Sequence, residues 1–410
     1  MVGWCCRMSN KVYIVAAKRT PIGSFLGGLS SVSAVDLGAI AIKAALEQGG
    51  IDGADIDEVI VGNVLGAGQG QGVGRQAAIH AGIPATTPAY TLNMICGSGM
   101  KTLLNAVNSV RAGDANLVVA AGTESMSNAP FVVDGQSRSG HKMGNMTLTD
   151  TMLKDGLTDA FADFHMGITA ENIAKQYAIS REEQDQFALR SQHRAEQAIT
   201  TGRFEQEIVP VTIKSRRGET TLNQDEHPRF GATIESLAGL RPAFDKQGSV
   251  TAGNASGIND GAVALIVASE QAVKQHGLTP LVEVVATGQG GVEPEVMGLG
   301  PVPAVKQALC RAGMELEQIQ RLELNEAFAA QAIGVIKGLS EQHQLNHSWF
   351  DDKTNLNGGA IALGHPIGAS GGRIVTSLIY EMLRSDTQLG LASLCIGGGM
   401  GTAVILRQVS

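Results

Sequence analysis

The chain of 410 residues is long enough for two or three domains, each with its own core. With 43% hydrophobic and 17% charged residues and 52 glycines in no collagen-like period, it reads as an ordinary soluble globular protein, and its formal charge of -8 argues against a nucleic-acid partner. Five scattered cysteines without a CxxC pair exclude a disulfide framework and a cysteine-based metal site, so a reducing, cytoplasmic compartment and no bound metal are expected.

In chain order, residues 1–10 lack a long apolar core and a clear cleavage site and are too short for a membrane span, and Met8 is a candidate start. Residues 11–17 read as a strand that breaks into the loop 19–23, and 36–48 have helical apolar spacing. A strand at 56–63 is followed by a glycine-rich run, 66–74, that matches neither phosphate-loop pattern, and then by a helix at 74–81. The segment 93–101, Asn-Met-Ile-Cys-Gly-Ser-Gly-Met-Lys, turns into a helix with Met100, Leu103, Leu104, Val107 and Val110 on one face. Cys96 therefore stands where a chain enters a helix, and the positive helix end favours a thiolate, so an acidic thiol is expected there. Residues 115–122 form a buried-strand candidate that ends in Thr123-Glu124-Ser125-Met126-Ser127. The alternation is that of βαβ units and a mostly parallel sheet.

Between 129 and 244 the composition becomes polar and mixed in charge. This region reads as an insertion with one long helix, 181–200, opened by a capping box of Ser180 and Glu183. Its basic run 214–218 fits a solvated turn as well as a phosphate site. The α/β rhythm resumes with strands at 262–268 and 281–287 and a helix at 302–311. Residues 323–328 sit at a strand-to-helix junction, followed by a helix to about 340 and a polar link at 341–353. The segment 356–363, a helix at 369–383, a strand at 389–393, a turn at 395–399 and a strand at 402–406 close the chain.

The two halves repeat one another. Ala41 to Leu46, Gly50 and Ile56 align with Ala304 to Leu309, Gly313 and Ile319 at a constant offset of 263, and Ser98-Gly99 and Asp114 with Ser370-Gly371 and Asp386 at 272. One long repeat implies two similar α/β domains with equivalent loops facing a shared cleft. The loops of Cys96, His365 and Cys395 are expected to converge there.

His365 lies among small residues at a helix start, as a structural histidine or as a base for Cys96. Cys395 stands beside three glycines whose N–H groups can face an oxyanion. Asn325 opens a helix, where an N-cap also explains it. His165-Met166-Gly167 is a weaker feature, since methionine commonly fills cores. Two thiols, one imidazole and glycine-rich turns suit covalent acyl transfer coupled to carbon–carbon chemistry.

These motifs resemble the thiolase family. Residues 93–99 resemble its acyl-cysteine motif, 325–329 its Asn-Glu-Ala-Phe motif, 357–366 its glycine–histidine motif and 395–401 its C-terminal cysteine motif. They stand in family order, and the likeness runs from Lys11 to Leu406.

The resemblance implies a thiolase fold, with two mixed-sheet α/β cores in an αβαβα layering and an inserted loop domain. The implied domains are 1–128 continued by 250–276, a CoA-covering loop domain at 129–249, and 277–410. It further implies the biosynthetic reaction of two acetyl-CoA to acetoacetyl-CoA and CoA by a Claisen condensation. Cys96 is the implied acyl carrier, His365 its base and Cys395 the second base. Asn325 and Gly397 belong to the oxyanion holes. His165, Met166, Arg229, Ser236 and Ser256 match positions lining the CoA site. CoA is then substrate and product, with no tightly bound cofactor, and a homotetramer built as a dimer of dimers is implied. A broader-chain 3-ketoacyl-CoA thiolase of β-oxidation is the alternative. Two departures from the family stand out, residues 1–10 and the long 341–353 link, whose Trp349 and Phe350 suggest a surface excursion.

Overall fold

The structure, a computed structural model, describes residues 11–215 and 218–409. Cys5, Cys6, Arg216 and Arg217 lie outside the described residues. The N-terminal half runs β1 (Val12–Arg19), β2 (Gly23–Ser24), α1 (Ala34–Gly49), β3 (Glu58–Gly62), α2 (Val73–His80), β4 (Ala89–Leu92), α3 (Ser98–Ala112) and β5 (Leu117–Ser125). The inserted region holds β6 (Phe131–Val133), β7 (Leu148–Asp150), α4 (Met166–Gln176), α5 (Arg181–Thr200), β8 (Val211–Ser215), β9 (Gly218–Leu222) and α6 (Ile234–Ala238). Then follow β10 (Asn259–Ser269), α7 (Glu270–His276), β11 (Val282–Gly291), α8 (Pro301–Ala312), β12 (Arg321–Leu324), α9 (Ala329–His343), α10 (Ser348–Asp351), α11 (Ala360–Leu363), α12 (Ser370–Arg384), β13 (Leu389–Ile396) and β14 (Met400–Gln408).

The strand order β12-β13-β14-β11-β1-β10-β5-β3-β4 is nearly its own mirror image. Among the described residues, the strands of the two halves pair edge to edge only at Tyr13 with Glu283 and Ile14 with Val282. Within each half, β3 with β5 and β12 with β13 are parallel, while β10 with β5 and β14 with β13 are antiparallel. The sheets are thus mixed rather than mostly parallel. The turn at Gly397–Gly399 folds β14 straight back on β13, which only an antiparallel pair permits.

The repeat is visible in detail. α1 and α8 both end on a left-handed glycine, Gly50 at φ 62° and Gly313 at φ 62°, a conformation that a Cβ would strain. Each is followed by a short 3-10 turn, Gly53–Asp55 and Leu316–Gln318, and then by the strand β3 or β12.

α3 and α12 form the middle layer. Met100, Leu103 and Val107 of α3 pack with Ile374, Leu378 and Met382 of α12, against Ile14 and Val267 on one side and Val284 and Val404 on the other. Each such buried aliphatic side chain contributes ~1.5–3 kcal/mol. α1 and α2 cover the outer face of the first sheet, and α8 and α9 that of the second.

The helix starts of the middle layer meet through glycines. A Cβ on Gly99 would lie 2.9 Å from Gly368 O, and one on Gly371 2.8 Å from Met100 Cβ. The loops that enter α3 and α12, carrying Cys96 and His365, are thereby brought together.

The 341–353 link departs from expectation. Phe350 is 1% exposed and joins the core of the C-terminal half, with Trp349 edge-on to it at 4.9 Å and Lys353 over the Trp349 ring at 3.9 Å. The aromatic pair anchors the link instead of projecting from it.

Candidate active site

A cavity of about 330 Å³ opens between the inserted region and the two cores. Cys96, His165, Met166, Arg229, Ser256 and His365 line it. Cys395 is buried behind it, in the apolar cluster of Met166, Met297, Ala327 and Phe328.

Cys96 precedes the first residue of α3. The loop is held in shape by its polar side chains: the Met94 N–H donates to Ser98 Oγ at 2.9 Å, Ser98 Oγ donates to Ile95 O at 2.7 Å, and the Ile95 N–H donates to Asn93 Oδ1 at 2.9 Å. Ile95 is held at φ 46°, a left-handed conformation costly for a β-branched residue, so strain is stored directly before the thiol. The expected acidic thiol is not found. Burial pushes Cys96 up to about 11, although the N–H groups of Gly397 and of Cys96 itself pull the other way. Desolvation of the charge outweighs the favourable helix end.

Cys395 is raised further by burial and by the charge that a thiolate at Cys96 would carry. The two sulfurs therefore ionise one at a time. Gly397 sits between the two loops, where a Cβ would lie 3.5 Å from both the Ile95 side chain and Met166 Sδ.

His365 is buried, with its Nδ1 2.6 Å from Ser370 Oγ. Ser370 Oγ also donates its single proton to Pro366 O at 2.9 Å, so it accepts from His365 Nδ1–H. That assignment, made from the hydrogen-bond network, leaves Nε2 as a bare base. Nε2 has no hydrogen-bond partner among the described residues. Burial, and after it the Arg373 charge, lowers His365 to about 4. The pair therefore rests as neutral thiol and neutral imidazole.

Asn325 is 1% exposed, and both its amide nitrogen and its amide oxygen are without partners among the described residues. Such a group is costly to bury, which marks it as held for a ligand or water. It is not an N-cap: α9 begins four residues later and Phe328 precedes it. Its neighbour Glu326 accepts from Ser191 Oγ at 2.6 Å and Asn355 Nδ2 at 2.8 Å, tying α5 to the C-terminal half.

His165 caps α4, its Nδ1 accepting from the Gly167 N–H at 3.0 Å. Its ring stacks on Phe244 at 4.5 Å, and Phe244 meets Phe328 edge-on at 6.0 Å. A Cβ on Gly167 would overlap the Phe244 ring, so glycine is what permits this stack.

The chain matches the thiolase N-terminal domain over residues 12–271 and the thiolase C-terminal domain over 278–408. The chain belongs to the thiolase family. Acetyl-CoA acetyltransferase of Cupriavidus necator is 53% identical over 398 residues, 97% of this chain and 99% of the relative. That of Escherichia coli is 51% identical over 404 residues, 98% of this chain and 100% of the relative. Among solved structures, acetyl-CoA acetyltransferase from Syntrophomonas wolfei superposes with a TM-score of 0.94 at 44% identity, covering 98% of this chain and 100% of its own. Human mitochondrial 3-ketoacyl-CoA thiolase gives 0.93 at 43%, covering 98% and 100%.

Within this thiolase fold one expected CoA contact lies apart. Ser236 does not line the cavity. Its hydroxyl donates to Thr233 O at 2.6 Å and accepts from the Thr233 N–H at 3.2 Å, closing the start of α6. His227 and Phe244 are among the lining residues that went unseen in the sequence. Burial, and after it the Arg229 charge, lowers His227 to about 4, which keeps it neutral beside Ser256 and Gly257. Its only sequence signal was its place two residues before Arg229.

Proposed function

We propose that this thiolase catalyses the reversible condensation of two acetyl-CoA to acetoacetyl-CoA and CoA through an acetyl-Cys96 intermediate. The observation that carries the reading is one cavity in which a bare imidazole Nε2 and a cysteine thiol share a wall, with a second, coupled thiol behind it. Relatives named acetyl-CoA acetyltransferase, at 49–53% identity over nearly the whole chain, support the acetyl specificity.

His365 Nε2 takes the Cys96 proton as the sulfur attacks the thioester carbonyl. The carbon–sulfur bond to CoA breaks, and the departing CoA sulfur takes the Cys395 proton. Acetyl-Cys96, a Cys395 thiolate and an imidazolium remain. Cys395 then takes a methyl proton from the second acetyl-CoA. The carbanion forms the new carbon–carbon bond at the acetyl carbonyl, and Cys96 leaves as thiolate and recovers the proton from His365. Both thiols end neutral, as they began. The Cys96 and Gly397 N–H groups stabilise the oxyanion on the acetyl carbonyl, and His365 with a water on Asn325 stabilises that on the thioester.

The inserted region, residues 129–249, covers the CoA, with Arg229 and Ser256 along its path and Ser236 outside the cavity they line. A homotetramer, a dimer of dimers, accounts for two unpartnered features. One is the free edge of β4. The other is the β6–β7 hairpin, where Phe131 and Leu148 are each 62% exposed. Free thiols at Cys96, Cys310 and Cys395 fit a reducing, cytoplasmic setting.

Intact-mass analysis after mixing with acetyl-CoA tests the mechanism. The expected result is one acetyl group gained by the wild type and none by C96S. A wild type that stays unmodified, or an acetylated C96S, would overturn it. Thiolysis rates on four-carbon and on ten- to sixteen-carbon 3-ketoacyl-CoA settle chain length, and a preference for the long chains would replace the acetyl reading with the broader one.

A further inference from the structure

Glu124, next to last in β5, has no exposure to solvent and takes no part in the steps above. Its carboxylate accepts four N–H groups. Oε1 takes Asn63 Nδ2 at 2.9 Å and the Leu65 N–H at 3.1 Å, and Oε2 takes the Val64 N–H at 3.1 Å and the Gly368 N–H at 2.9 Å. Three donors come from the loop after β3, and the fourth lies three residues beyond His365. Leu65 and Ile367, on either side of this carboxylate, pack in the same apolar cluster as Cys96. A Cβ on Gly368 would lie 2.7 Å from Glu124 Oε2, so the histidine loop passes with bare backbone against the carboxylate.

We propose that Glu124 is a positioning residue for the Cys96–His365 pair: its carboxylate clamps the histidine loop onto the cysteine-bearing half, and its negative charge keeps the Cys96 proton in place until His365 takes it. The proposal rests on the reading of Cys96 and His365 as nucleophile and base. Four donors hold a buried carboxylate that would otherwise be costly. Burial lifts Glu124 to about 7, against the pull of the Leu65, Val64 and Gly368 N–H groups, with Asp260 of β10 adding repulsion. At Cys96 the Glu124 charge acts in the same direction as burial, against ionisation. The other titratable groups around the thiol are His365 from the loop before α12, Cys395 from the end of β13, and His165, His227 and Arg229 across the cavity.

E124Q turns an amide NH₂ toward two of the four donors and removes the charge. Its kcat is expected to fall by about a hundredfold, the cost of a small misplacement of reacting groups, with KM for acetyl-CoA little changed. Iodoacetamide alkylation of Cys96 in the free enzyme, followed by peptide mapping against pH, is the second readout. The E124Q midpoint is expected below that of the wild type, because the thiolate no longer faces a carboxylate. E124D keeps the charge and draws the carboxylate back by one methylene. It is expected to lose kcat with the alkylation midpoint unmoved, and it serves as the test should E124Q fail to fold. Wild-type kcat in either variant, or an unmoved midpoint in E124Q, would overturn the proposal. A wild type that acetyl-CoA does not acetylate would instead overturn the reading on which it rests.

Discussion

At the scale of single residues, the site is built on polar groups whose partners leave one atom free. Ser370 satisfies His365 Nδ1 and leaves Nε2 bare. S370A leaves a buried N–H without an acceptor and frees the ring to turn, at a cost of ~1–2 kcal/mol, so kcat should fall about tenfold with KM nearly constant. Steady-state kinetics of the variant check this; an unchanged kcat would show that the serine does not set the tautomer. Cys96, His365 and Cys395 were legible because each stands among glycines at the start or end of a helix or strand. The state of the thiol was not legible. A helix start predicts an acidic cysteine, and only the packing of Met126, Leu65 and Ile367 around it shows that burial wins. Asn325 was open between a cap and a ligand group until the structure put the start of α9 beyond it and left its amide unsatisfied.

At the scale of elements, regular periodicity was readable and unusual caps were not. α5 carries the Ser180–Glu183 capping box in full, with the Glu183 N–H donating to Ser180 Oγ at 3.1 Å and the Ser180 N–H to Glu183 Oε2 at 2.7 Å. α4 escaped notice because its N-cap is a histidine, a residue outside the usual capping set. That choice has a purpose, since the same ring stacks on Phe244 and lines the cavity. G167A should therefore act twice. The added methyl overlaps Phe244, destabilising the protein by ~1–3 kcal/mol, and it tilts the His165–Phe244 wall so that KM for acetyl-CoA rises. Thermal melts and kinetics of the variant test both, and a G167A with native Tm and KM would mean that the stack gives way freely. The short hairpins β6–β7 and β8–β9 were also missed; strands of three to five residues leave too few alternations to read.

At the scale of the whole molecule, the duplicated α/β plan was legible from two constant offsets, and the mixed sheets were not. Alternating strands and helices suggest parallel pairing, but β10 and β14 each enter antiparallel to their neighbours. The exposed Phe131 and Leu148 of the β6–β7 hairpin lead to a test of the proposed assembly. F131E should convert the tetramer to dimers in sedimentation velocity while leaving each dimer folded, and a tetramer that survives would place the second interface elsewhere.

The back-to-back glycines of α3 and α12 have a further consequence. Ser98 and Ser370 are equivalent in the two halves, and each sits just beyond its own reactive loop, one holding the Met94 N–H and the other His365 Nδ1. The proposed nucleophile and base are thus mounted on two copies of the same bracket, bolted together through bare backbone at Gly99 and Gly371. The spacing between them is gauged by the thickness of two peptide chains, a length that does not change when side chains elsewhere in the core are exchanged.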